Sequence, residues 1–147
     1  ENGRIRHLGF SAHGSYDIIK RFLDAYCSDM EFCQIQLNWI DWSFQNAKEK
    51  VALLKEHDLP IWVMEPLRGG RLAKLAKEDS DKLPALRSDE EIPAWAFRFL
   101  QSIDGITIIL SGMSSMEQLQ NNIKTFETDH GLNQQEMDTL LSIADDM

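Results

Sequence analysis

Four short apolar runs, each bounded by turn residues, alternate with amphipathic stretches along the whole chain. The runs are RHLGFS (residues 6–11), CQIQLN (33–38), PIWVM (60–64) and ITIILS (106–111). Short runs rich in β-branched and aromatic residues read as buried strands. The second run alternates, with Ile35 and Leu37 on one face and Gln34, Gln36 and Asn38 on the other. A polar inward face suits a binding site or a barrel lumen rather than a dry core. The stretches between the runs carry apolar residues at helical spacing. Residues 15–26 place Ile18, Ile19, Phe22 and Leu23 on one side, with Ser15 as N-cap. Residues 43–57 align Phe44, Ala47, Val51 and Leu54. Residues 92–102 begin with Pro93 in the first turn and turn Trp95, Phe99 and Leu100 inward. Residues 115–126 open on a Ser115-x-x-Gln118 capping box, and residues 132–145 start from Asn133 as cap.

The resulting order, βαβαβαβα, calls for parallel strands joined by right-handed helical crossovers in one α/β unit. The first three strand starts are 27 residues apart and the fourth follows after 46, so extra structure lies between Gly70 and Ile92. That insert, AKLAKEDSDKLPALRSDEE, is charged. Its Gly69-Gly70-Arg71-Leu72 end is expected near a ligand and its acidic remainder in solvent.

The chain has 147 residues, enough for one domain with a core. Its formal net charge of -9 leaves no basic field to draw in a nucleic-acid backbone or an anionic membrane surface. One phosphorylated small molecule in a local pocket remains compatible with it. Cys27 and Cys33 are too few for a disulfide framework and match no metal spacing, so they read as buried or half-buried thiols. No apolar run reaches the length of a membrane span, and the opening ENGRIRHLGF lacks the apolar core of a signal peptide. The cytoplasm is the expected compartment. The chain runs straight into its first strand without an N-terminal cap, as expected of a domain cut from a longer chain.

Parallel α/β folds gather functional residues at the C-terminal ends of their strands. Here those ends read Ser11-Ala12-His13, Gln36-Leu37-Asn38, Glu65-Pro66-Leu67-Arg68-Gly69-Gly70 and Ser111-Gly112-Met113-Ser114-Ser115. The set is polar and glycine-rich, but it holds no nucleophilic triad and no carboxylate pair. His13 reads as a loop histidine. The four histidines are scattered without metal-ligand spacing, so no metal is expected. Trp39, Trp42, Trp62 and Trp95 read as core or rim packing. In SGMSSMEQLQNN a strand ends in a glycine turn and a helix begins on two serines, which is a ready anion site. Gln118 and Asn122 follow at i, i+4 and face the same way.

Taken in order, GFSAH, CQIQLNW, VMEPLRGGRL and ITIILSGMSSMEQLQNNI resemble the last four strand–loop units of the aldo/keto reductases. The subgroup most similar is the microbial one that often carries a C-terminal iron–sulfur module. The resemblance covers nearly the whole chain. It implies the C-terminal half of a (β/α)8 TIM barrel, a single partial domain over residues 1–147 whose N-terminal half is absent. It also implies NADPH as cofactor, with NADH as the second candidate, and a small carbonyl substrate for the parent protein. Ser11 and Gln34 match positions that hydrogen-bond the nicotinamide carboxamide. Met64 matches the residue packed on the nicotinamide ring, usually a tyrosine. Glu65, Leu67, Arg68, Gly69 and Gly70 match the loop over the pyrophosphate. Gly112, Met113, Ser114 and Ser115 match the loop at the adenosine phosphate. Gln118, Asn121 and Asn122 match positions that hold the 2′-phosphate and the adenine. An arginine often stands where Gln118 is, an asparagine where Ala12 is and a glutamate where Asn121 is.

The family's catalytic Asp, Tyr, Lys and His belong to the first four units, none of which this sequence contains. No catalytic residue is therefore assigned, and the fragment is expected to be inactive alone. An iron–sulfur cluster is expected only in a parent protein, since this chain lacks the cysteine clusters for one. Two strand edges and a lumen left open imply self-association, a rearranged packing, or a fragment whose missing half was cut away. Two rival readings are a nucleotide-binding module without chemistry, and a structural or interaction domain on a barrel scaffold.

Overall fold

A computed structural model describes residues 3–128 and 130–147 of the chain. Its four strands are β1 (Gly9–Ala12), β2 (Phe32–Gln36), β3 (Ile61–Met64) and β4 (Ile106–Ile109). They form one parallel sheet in the order β1-β2-β3-β4. Sequential neighbours, all parallel and each followed by helix, are what right-handed crossovers produce. The helices are α1 (Tyr16–Tyr26), α2 (Asp41–Phe44), α3 (Ala47–Glu56), α4 (Lys77–Ser80), α5 (Ile92–Gln101), α6 (Met116–Phe126) and α7 (Gln134–Asp145).

The core lies between one face of the sheet and the helices. Cys33, Ile35, Ile61 and Val63 point into it, against Ile19 and Leu23 of α1, Val51 and Leu54 of α3, Trp95 and Phe99 of α5 and Leu140 and Ile143 of α7. Helix α5 is buried from Ala94 to Leu100, as its near-continuous apolar sequence demands. The other face of the sheet carries Gln34, Gln36, Trp62 and Met64, all half-buried. The alternation read in the second strand thus separates a dry helix-side face from a polar open one.

β4, at one edge of the sheet, lacks the two covered faces of an interior parallel strand. Such strands are apolar because both faces are covered. Ile108 is 38% exposed and Leu110 just beyond is 41% exposed. The register also shifts here, with Ile61 opposite Ile106 but Trp62 opposite Ile108, and the skipped Thr107 donates its hydroxyl to the Ile61 carbonyl. Helix α6, beyond this edge, buries only Thr125. Its apolar stripe, Met116, Leu119, Ile123 and Phe126, is largely exposed.

Several expected boundaries move. The first strand begins at Gly9 and not at residue 6, and Leu8 before it is exposed. The helix expected over 43–57 is two helices, because Asn46 takes a left-handed backbone (φ 51°) between α2 and α3. That break turns Phe44 out of the buried stripe, leaving it 74% exposed. Ser15 has the extended backbone of an N-cap, but its side chain makes no cap bond. The capping boxes at Ser115/Gln118 and Asn133/Glu136 are both formed.

The insert is not merely solvated. Leu72 and Leu83 are fully buried, and Leu75 and Leu86 pack against the core. Arg87 makes a two-bond ion pair with Glu136 at the start of α7, both at 2.6 Å, and donates to the Gly131 carbonyl at 2.8 Å. Arg98, buried in α5, binds Glu90 at 2.8 Å and the Thr128 carbonyl at 2.6 Å. The stretch expected in solvent thus includes Arg87 and Glu90, which staple it to α7 and α5. The two thiols are free, Cys33 buried and Cys27 half-buried, and burial pushes the Cys33 thiol up to about 12.

Candidate functional site

At the C-terminal end of β3 the backbone is bent by four left-handed residues. They are Glu65 (φ 58°), Arg68 (47°), Gly69 (62°) and Gly70 (85°). Glycine adopts this region freely, while Glu65 and Arg68 pay a steric cost there. The turn is held by bonds from Arg68 N to Glu65 O, Gly70 N to Leu67 O and Ala73 N to Gly70 O, each 3.0–3.1 Å. Leu72 anchors its far side in the core.

A second brace comes from β2. Asn38, fully buried just past that strand, donates to the Glu65 carbonyl at 3.0 Å and to Asp41 Oδ2 at 2.7 Å, and accepts from the Asp41 amide at 2.9 Å. Gln36 donates to the same Asp41 oxygen at 2.7 Å. Asp41 is itself fully buried. Its Oδ1 has no hydrogen-bond partner, and Arg68 Nη2 stands 3.5 Å away as the balancing charge. The Arg68 guanidinium also lies over the Phe44 ring, 5.4 Å from its centroid. A buried carboxylate requires such a partner, so Arg68 is committed to holding the loop.

At the end of β4, Ser111 and Gly112 lead into α6. Gln118 Oε1 accepts from Ser114 N at 2.8 Å and from Ser115 N at 3.3 Å, while Ser115 Oγ accepts from Gln118 N at 3.2 Å. Asn122 donates to Ser111 Oγ at 3.2 Å, and Asn121 donates to Glu91 Oε2 at 2.8 Å.

Between these two loops lies a cleft of about 510 Å³. It is lined by Met64, Glu65, Leu67, Gly69 and Gly70 from one side and by Gly112, Met113, Gln118, Asn121 and Asn122 from the other. The structure therefore brings ten of the residues singled out in the sequence onto one cavity. A cleft of this size, with apolar walls and amide side chains, suits a small-molecule ligand. Ser11 and Gln34 lie opposite each other on β1 and β2, and Gln34 donates to Met64 Sδ at 3.4 Å. That contact ties Gln34 to the β3 end of the cleft, while neither Gln34 nor Ser11 lines it. Ser114 and Ser115 sit at its rim and do not line it, and Arg68 turns away to Asp41. The lining also includes Pro66 and Ser111, named among the strand ends without a cofactor role, and Ala73, Pro93 and Leu110, which the sequence did not place there. Pro93 belongs to α5, so only the fold could bring it here. Asp41 was missed as well, although its i+3 spacing from Asn38 is a reciprocal side-chain and backbone pairing at a helix start. Among the described residues, no three His, Cys, Asp or Glu side chains gather as metal ligands could. No helix among them is long and apolar enough to cross a membrane.

The sequence model of the Aldo/keto reductase family matches residues 1–145. The chain belongs to the aldo/keto reductase family. Among curated protein sequences none matches it. Solved structures similar to this aldo/keto reductase chain include aldo-keto reductase AKR11C1 from Bacillus halodurans in its holo form. The TM-score is 0.74 and the identity 21%, over 96% of this chain and 51% of that one. The apo form of the same protein matches equally, with a TM-score of 0.74, 21% identity and coverage of 96% and 52%. A thermostable aldo-keto reductase, Tm1743, in complex with the inhibitor epalrestat, gives a TM-score of 0.70 at 18% identity, over 96% of this chain and 49% of that one. The chain spans about half the length of the structures it matches. Its four parallel strands and their helices are a partial TIM barrel.

Proposed function

We propose that this chain is the cofactor-holding C-terminal half of a carbonyl oxidoreductase, with the cleft between the β3 and β4 loops as its nicotinamide-dinucleotide site. Membership of the family supports an oxidoreductase parent and a nicotinamide cofactor. The observation that carries the site is the convergence of the Met64–Gly70 and Gly112–Asn122 segments on one cleft. The lining fits the group. Gly69 and Gly70 keep the loop's backbone bare of side chains, and no atom within 4 Å would crowd a Cβ at Gly70 or Gly112. The Met64 thioether offers a polarisable surface for a ring. Gln34, which donates to Met64 Sδ, and Ser11, its neighbour on β1, are the groups that would hold a carboxamide. The β3 loop covers the pyrophosphate, and the α6 end takes the adenosine. The sequence resemblance points to NADPH, with NADH second.

The bound cofactor would supply hydride to a small carbonyl substrate. Proton donation falls to residues that this chain does not include, so the isolated fragment is inactive and its parent carries the missing half-barrel. Cytoplasmic location and any iron–sulfur module of the parent belong to the same reading. The test is isothermal titration of the chain with NADH and NADPH, beside a carbonyl-reduction assay. Saturable binding of at least one cofactor, weakened in Gly70→Val and without turnover, is the expected result. Turnover by the chain alone would refute the assignment of catalysis to the other half. Absence of binding to millimolar cofactor would refute the site.

A further inference from the structure

The α6 end of the cleft adjoins a cavity with more carboxylates than cations in its lining. Three observations converge there. First, three amide donors around the start of α6, those of Ser114, Ser115 and Gln118, are already used. Gln118 Oε1 takes Ser114 N and Ser115 N, and Ser115 Oγ takes Gln118 N. A phosphate would have to displace an internal cap to reach them. Second, Asn121, which lines the cleft, donates to the carboxylate of Glu91, the N-cap residue of α5, at 2.8 Å. Third, the cleft continues past Pro93, Asn121 and Asn122 into a cavity of about 350 Å³ with four carboxylates, Asp89, Glu90, Glu91 and Glu127. Its two cations are Arg98 and Lys124. Arg98 is committed to Glu90. The lining of the main cleft includes Glu65 and, among the described residues, no lysine or arginine.

A phosphate monoester at this end would bring close to two negative charges beside Glu91, with one uncommitted cation to offset them. Like-charge placement of this kind is a strong device for rejecting a ligand. A ribose hydroxyl would instead donate to Glu91 and accept from the Asn121 amide. We propose that the cleft selects a nicotinamide dinucleotide with a free 2′-hydroxyl, NAD(H) over NADP(H), and that Glu91 and Asn121 set the choice. This rests on the reading of the cleft as the dinucleotide site, and it reverses the order of cofactors drawn from the sequence.

The experiment is isothermal titration of the full chain and its Glu91→Gln and Glu91→Lys variants with NADH and with NADPH, thermal unfolding confirming that each is folded. NADH should bind roughly tenfold or more tighter than NADPH to the unaltered chain. The ratio should shrink in Glu91→Gln and shrink further or invert in Glu91→Lys, through tighter binding of NADPH and weaker binding of NADH. Equal or tighter binding of NADPH by the unaltered chain overturns the inference while leaving the site reading intact. A ratio unmoved by both variants removes Glu91 as its cause and overturns the inference. Binding of neither cofactor overturns the site reading, and the inference with it.

Discussion

At the scale of single residues, the loop after β3 is braced from outside by Asn38. Glu65 sits in a left-handed backbone directly before a proline, a position that prefers extended geometry. Asn38 holds its carbonyl and also binds Asp41 on two sides. Replacing Asn38 by alanine leaves the Glu65 carbonyl short of a partner and the Asp41 amide unpaired in a buried place. The expected loss is about 2–3 kcal/mol in urea unfolding, with weaker cofactor binding. A loss below about 0.5 kcal/mol would show that water or relaxation replaces these bonds. The sequence showed the loop's outer residues plainly, since Gly69-Gly70 after a strand is a local signal. It did not show what Arg68 does. Arg68, matched to the loop over the pyrophosphate, pairs with Asp41, 27 positions earlier, and no local pattern reveals a pairing that only the fold creates.

At the scale of elements, strand and helix periodicity was legible because each element buries one face and repeats its pattern along it. The capping boxes of α6 and α7 were legible for the same local reason. The break at Asn46 and the fold of the insert were not. A helix-compatible run can be split by one left-handed residue, and Leu83 is held by distant partners rather than by its neighbours. The ion pair from Arg87 to Glu136 is what fastens the insert to α7. The Arg87 guanidinium beside Glu136 holds that carboxyl below its ordinary value of 4.5. A carboxyl with a depressed folded value stabilises the fold above the ordinary value, and the gain is lost as pH falls through the folded one. Glu136→Gln should therefore cost roughly 1.5–3 kcal/mol at pH 7 and have less effect below about pH 4. Unfolding curves of both proteins across pH 3–7 check this. A difference independent of pH would mean that packing, and not charge, makes the contact.

At the scale of the whole molecule, half a barrel leaves surfaces that a full one covers. Among the described residues no strand lies beyond β1 or β4, the two edges of the sheet, and Met116, Leu119, Ile123 and Phe126 of α6 are exposed. Open parallel edges and a contiguous apolar stripe favour association. A second copy offers both a β1 edge for β4 and a β4 edge for β1, so the isolated chain is expected to self-associate. Light scattering over a concentration series should show mass rising above 16.9 kDa. Leu119→Glu with Ile123→Lys should lower that mass without lowering the melting temperature. A monomer at every concentration would rule out the apolar stripe as an interface in this chain.

The central claim is that the β3 and β4 loops form one dinucleotide site. Backbone amide NMR of the 15N-labelled chain, titrated with NADH, tests it most directly because it reads location as well as binding. The account predicts saturable shifts concentrated in residues 64–70 and 111–122, with Ser11 and Gln34 moving and the α1 and α7 surfaces still. Shifts centred elsewhere, or none at millimolar NADH, would contradict it.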